Sequence, residues 1–86
     1  MNEKIMVVDD DKDIREVIQV LLSSEGYEVI EASNGKEALE LVDDDTDLII
    51  LDVMMPEMNG YQACVLLREK TKAPILFLTA KGQDSD

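Results

Sequence analysis

Three carboxylates in this 86-residue sequence stand where apolar runs stop. Leu48-Ile49-Ile50-Leu51 ends on Asp52, and Lys4-Ile5-Met6-Val7-Val8 ends on Asp9-Asp10-Asp11. Short apolar runs bounded by turn signals read as strands buried on both faces. In open α/β sheets ligands bind outside the carboxyl ends of such strands. Set side by side, the two strands bring Asp9, Asp10 and Asp52 into one cleft. Crowded carboxylates resist full ionisation, and a divalent cation relieves the repulsion. Mg²⁺ suits the set because it takes oxygen ligands and keeps several waters or phosphate oxygens. A backbone carbonyl just after Asp52 can add a ligand. A carboxylate can also act as a nucleophile and form an aspartyl phosphate. The charge developing on a transferring phosphoryl group calls for Mg²⁺ and nearby donors. Thr79, ending the run Ile75-Leu76-Phe77-Leu78, is placed to offer a hydroxyl to that group, and Lys81 follows closely.

Each of these residues also has a plain structural use. An Asp after a strand is often only a helix N-cap, and Asp11 competes for that role with Asp13, which has Glu16 three residues on. Thr79 alone reads as an ordinary strand threonine. Met54, Met55 and Met58 read as packing. Cys64 sits in a helical pattern with no His in the chain to activate it, and reads as a small core residue.

The elements that position the acids follow from periodicity. After the strand at Lys4–Val8, residues Ile14, Val17, Ile18, Leu21 and Leu22 have the spacing of an amphipathic helix, and Gly26 is its expected stop. A second, more polar strand over residues 27–32 belongs at a sheet edge. Asn34 with Glu37 has capping-box spacing and opens a helix through Ala38, Leu39, Leu41 and Val42. The polar turn Asp43-Asp44-Asp45 ends that helix ahead of the central strand. Asn59 with Gln62 repeats the capping spacing before a third helix through Tyr61–Leu67, and Pro74 opens the fourth strand. The order β-α-β-α-β-α-β implies parallel pairing with right-handed crossovers.

Composition narrows the function. The chain is 45% hydrophobic, enough for one small domain with a core of Leu, Ile, Val, Ala and Met. Its net charge of -12, from 8 basic and 20 acidic residues, argues against direct nucleic-acid binding, and favours divalent cations or a basic partner. A single cysteine rules out an intramolecular disulfide here. With no signal peptide and no long apolar run, a cytoplasmic location and no membrane contact are expected. Asp9-x-Asp11-x-Asp13 begins like a calcium loop, but Ile14 replaces the glycine and Val20 the glutamate. Neither glycine-rich nucleotide-binding motif occurs.

Together, Ile5–Asp11, Asn34–Leu39, Asp47–Gly60 and Pro74–Ala80 resemble the receiver domain of two-component response regulators. The stretch Leu51-Asp52-Val53-Met54-Met55-Pro56-Glu57-Met58-Asn59-Gly60 is the most specific part, and the likeness is greatest to members with a winged-helix DNA-binding output domain. The resemblance implies a flavodoxin-like α/β fold with strand order 2-1-3-4-5. It implies Asp52 as phosphoacceptor from a sensor histidine kinase. It implies Mg²⁺ on Asp10, Asp52 and the Met54 carbonyl, with Asp9 acting largely through water. Thr79 would bind the phosphoryl group and switch position. Such a domain is a switch that assists its own phosphorylation and dephosphorylation rather than a turnover enzyme.

Family members continue into a further helix, strand and helix, with a lysine and an aromatic on the fifth strand, none of which this sequence contains. Residues 1–86 are thus expected to be an incomplete receiver. Part of the sheet face beside the first helix is then uncovered, and the fourth strand becomes an apolar edge. A dimer or higher self-association through that strand, an exchange of elements or a refolded end is the expected result. Two other functions compete: an inactive assembly fragment, and a Mg²⁺-dependent phosphatase of the haloacid dehalogenase kind using Asp9-x-Asp11, which leaves the Asp52 loop unexplained.

Overall fold

The apolar runs form four strands, and a helix crosses between each successive pair. The computed structural model describes residues 2–55 and 58–78. In order the elements are β1 (Lys4–Val8), α1 (Lys12–Ser24), β2 (Glu28–Ala32), α2 (Gly35–Leu41), β3 (Thr46–Asp52), α3 (Gly60–Arg68) and β4 (Ile75–Leu78). All pairs are parallel and the sheet order is β2-β1-β3-β4, so the polar β2 lies at an edge as expected. This is the flavodoxin-like arrangement as far as β4.

Local signals set the boundaries. Asp11 caps α1, accepting from the backbone N–H of Asp13 at 2.9 Å and of Ile14 at 3.4 Å, which settles the competition with Asp13. Gly26 ends α1 at φ 94°, with Gly26 N–H on Ser23 O and Tyr27 N–H on Leu22 O. That closure uses Tyr27, so β2 starts at Glu28 and not at residue 27. Asn59 and Gln62 form the complete reciprocal box that opens α3. The box at α2 is shifted. Asn34 accepts from Glu37 N–H, but the Glu37 carboxylate takes the N–H and hydroxyl of Ser33. β3 begins two residues earlier than the apolar run because Lys4 pairs with Thr46 across a register shift. Lys4 N–H also donates to the Asp47 carboxylate at 2.8 Å.

The core lies mainly on one face of the sheet. Met6, Val8, Ile49 and Leu51 are fully buried there, with Ala38 of α2 and Ala63 and Leu67 of α3. Cys64 packs partly against this core, as its pattern suggested. Among the described residues the other face carries only α1, which has no buried residue. Ile14, Ile18 and Leu22 are half-buried, whereas Val17 and Leu21 of the expected core stripe are 58% and 60% exposed, beside Val20 at 56%. Two of the five stripe residues therefore face solvent. The uncovered face was expected; its extent along α1 was not. On β4, Leu76 is 58% exposed, and Phe77 leans on Tyr61 of α3 with ring centroids 5.1 Å apart. Among the described residues no helix is long and apolar enough to cross a membrane.

Candidate functional site

Strand register builds the site. Val8 of β1 pairs with Leu51 of β3, so the next residues, Asp9 and Asp52, emerge side by side at the carboxyl ends. The backbone N–H of Asp9 still reaches Ala32 O of β2 at 3.1 Å, keeping Asp9 in the sheet while the chain turns away. Asp9 is 2% and Asp52 5% exposed, whereas Asp10 faces solvent. One carboxylate oxygen from each of Asp9, Asp10 and Asp52 lies within 4.8 Å of the other two.

Each turn is tied to its own carboxylate. Asp11 N–H donates to Asp9 Oδ1 at 2.9 Å, and Met54 N–H donates to Asp52 Oδ1 at 3.1 Å. The Asp52 loop then folds back, with Met55 N–H and Gly60 N–H both on Val53 O at 3.2 and 3.0 Å. Gly60 has to be a glycine for this approach. A Cβ there would overlap the Asp52 carbonyl oxygen and come within 2.8 Å of Val53 Cα. Met55 is buried and Met58 half-buried, as packing residues should be. Met54 is not a packing residue: it is 72% exposed, with its backbone N–H engaged by Asp52.

Burial raises the Asp9 carboxyl from 3.8 to about 6; the Asp11 N–H works against that rise, while the charge and hydrogen bonding of Asp52 and the charge of Asp10 add to it. Burial is the leading cause of the Asp9 shift, and the neighbouring acids add to it. The donors of the set are all oxygen. Three oxygen donors gathered this closely are consistent with a hard divalent cation such as Mg²⁺.

Asp11 does not join the cluster, since its carboxylate is engaged on the first turn of α1. The Asp9-x-Asp11 phosphatase reading loses its second carboxylate for that reason. Thr79 and Lys81 lie outside the described residues. One participant was not singled out from the sequence. Arg15 of α1 donates from Nη1 to the Asp9 carbonyl oxygen at 2.6 Å and from Nε to Glu31 Oε1 at 3.2 Å. The available signal was an arginine one helical turn beyond an acidic loop.

Known proteins share this arrangement. The chain matches the response regulator receiver domain family over residues 5–86. The transcriptional regulatory protein YrkP of Bacillus subtilis is 46% identical over the whole chain, which covers 37% of YrkP. CpxR of Escherichia coli, also a transcriptional regulatory protein, is 45% identical over 96% of the chain, which covers 36% of CpxR. The chain thus spans little more than a third of the curated relatives it matches. Among solved structures, the response regulator TrrA of Thermotoga maritima, in complex with Mg²⁺-BeF, superposes with a TM-score of 0.84 at 43% identity. That match covers 95% of this chain and 72% of TrrA. Chemotaxis protein CheY4 of Vibrio cholerae gives 0.82 at 36% identity, over 96% and 72%. In sequence and in fold, this chain belongs to the response regulator receiver domain family.

Proposed function

We propose that the chain is the phosphoacceptor module of a two-component response regulator, with Asp52 as the acceptor. The observation that carries this reading is the convergence of Asp52 with Asp9 and Asp10 at adjacent strand ends. An Asp52 oxygen attacks the phosphorus of a kinase phosphohistidine. The phosphorus–nitrogen bond breaks, its electron pair returns to the imidazole, and an aspartyl phosphate remains. Asp10, Asp52 and the Met54 carbonyl would hold Mg²⁺, with Asp9 contributing largely through water. Mg²⁺ supplies charge neutralisation at the transferring oxygens. Thr79 would bind the new phosphoryl group and switch position.

In this reading the module assists its own phosphorylation and dephosphorylation, works in the cytoplasm and leaves DNA contact to an output domain. The acidic balance supports that division of labour. The transcriptional relatives suggest that the output is transcription. Acetyl phosphate with Mg²⁺, followed by intact mass, tests the reading. Wild type gains one phosphate and Asp52→Asn gains none. Retention of label by Asp52→Asn with loss in Asp9→Asn would instead favour the phosphatase chemistry, and no uptake by wild type would favour an inactive fragment.

A second proposal rests on exposed apolar surface. Val17, Val20 and Leu21 on α1 and Leu76 on the β4 edge favour self-association of residues 1–86. Sedimentation of this chain as a compact, cooperatively folding monomer would overturn it.

A further inference from the structure

We infer that Arg15 is a positioning residue of the acidic site, holding the Asp9–Asp10 peptide in the orientation that lets the three carboxylates converge. The inference rests on the cation-binding reading above and assigns the residue that sets its geometry.

The argument starts at the end of β1. The Asp9 N–H continues the ladder to Ala32, but the strand stops there and the Asp9 carbonyl turns out of it. That carbonyl belongs to a residue only 2% exposed, so it needs a donor from the protein. Arg15 supplies one at 2.6 Å. The donor is itself oriented, because Nε of the same guanidinium meets Glu31 Oε1 on β2 at 3.2 Å. The Arg15 side chain is only 14% exposed, so this is not a loose surface contact. The peptide unit is planar. Fixing the Asp9 carbonyl therefore fixes the plane that carries the Asp10 nitrogen and directs the Asp10 Cα. Asp10 is the exposed acid of the three and inherits its placement from this plane.

The choice of acceptor matters. A cation paired with Asp9, Asp10 or Asp52 would occupy the lone pairs a metal ion needs. Arg15 spends its hydrogen bonds on a main-chain carbonyl and on Glu31, and leaves all three carboxylates free of it. A surface Arg–Glu pair alone would contribute little. The carbonyl contact gives the pair its consequence, much as outer-shell partners orient metal ligands.

The experiment measures Mg²⁺ affinity by calorimetric titration, with the metal-free thermal midpoint and amide exchange at Asp10 and Asp11 read alongside. Wild type is compared with Arg15→Met, Arg15→Lys and Glu31→Gln. Arg15→Met should weaken Mg²⁺ binding by roughly 10-fold or more, the scale of outer-shell substitutions. It should also speed exchange at Asp10 and Asp11. Arg15→Lys should recover part of the affinity, because an ammonium lacks the fork that meets both partners at once. Glu31→Gln should cost less than Arg15→Met. A lowered midpoint with wild-type Mg²⁺ affinity in Arg15→Met would overturn the inference while leaving the cation site intact. Should Arg15→Met fail to fold, unchanged affinity in both Arg15→Lys and Glu31→Gln overturns it equally. Wild-type protein that binds no Mg²⁺ would remove the cation-binding reading and this inference with it.

Discussion

The two faces of the sheet are built differently. On the α2–α3 side, Met6, Val8, Ile49 and Leu51 are sealed by Ala38, Ala63 and Leu67, all at 0% exposure. On the α1 side Ile5 and Val7 of the central β1 are buried, but no helix residue is, and Leu48 and Ile50 of β3 are only half covered. Strand alternation puts Asp9 and Asp52 on the same side as Val7 and Ile50, the side that α1 overlies. Stability and chemistry are thus divided across one sheet. The packed face holds the strands in register, and the open face carries the crowded acids, whose mutual repulsion the packing must offset.

The sharpest way to break this contrast is to remove bulk from the packed side. Leu67→Ala deletes a fully buried side chain from the α3–sheet core. It should cost about 2–5 kcal/mol in urea unfolding, the range for large-to-small core changes. A cost under about 1 kcal/mol would show that the α2–α3 face does not carry the fold.

The second test reads the open side through pH. The Asp9 carboxyl lies at about 6 in the folded chain against 3.8 ordinarily. The folded state therefore keeps a proton that the unfolded state loses first. Favourable folding from protonated Asp9 is full below about pH 4 and is lost as pH rises through about 6. Stability of the metal-free wild type relative to Asp9→Asn should fall from pH 4 to pH 7. Millimolar Mg²⁺ should restore it at pH 7. A difference that stays level with pH would mean that Asp9 is not buried beside the other acids in solution.

A third, smaller effect concerns the seam between the faces, where α3 starts behind the Asp52 loop. Asn59→Ala removes half of the capping box and should cost about 1 kcal/mol by thermal unfolding. An effect near zero would mean that Gly60 and its bond to Val53 O seat the helix without the cap.

Much of this was readable in the residues, for physical reasons that differ from place to place. Asp9, Asp10 and Asp52 could be paired because a strand end is fixed by where an apolar run stops, and parallel neighbours put their ends together. Asn59 and Gln62 gave a true box because both partners are local. Asn34 and Glu37 have the same spacing, yet Glu37 found the closer N–H and hydroxyl of Ser33, a competition that spacing does not rank. Arg15 escaped notice because its partners, the Asp9 carbonyl and Glu31, become neighbours only after β1, β2 and α1 have assembled. The stripe on α1 was legible as amphipathic. Periodicity, however, states which residues share a face and not whether anything covers it.

That last point yields the smallest expected effect and the finest test of the contrast. Leu21 on α1 has the same residue type as Leu67 on α3, but it is 60% exposed where Leu67 is fully buried. Leu21→Gln keeps a good helix former and removes an apolar side chain that is already mostly in water. Within a single molecule its cost should stay within about 0.5 kcal/mol, as for substitutions away from packed sites, and any excess that depends on concentration reports the self-association proposed above. The measurement is the urea midpoint at two protein concentrations well apart. A small cost, equal at both, matches an α1 face open to solvent. A cost that approaches that of Leu67→Ala and grows with wild-type concentration would show that a second molecule covers the face in solution. The two sides of the sheet would then differ in what seals them, and not in whether they are sealed.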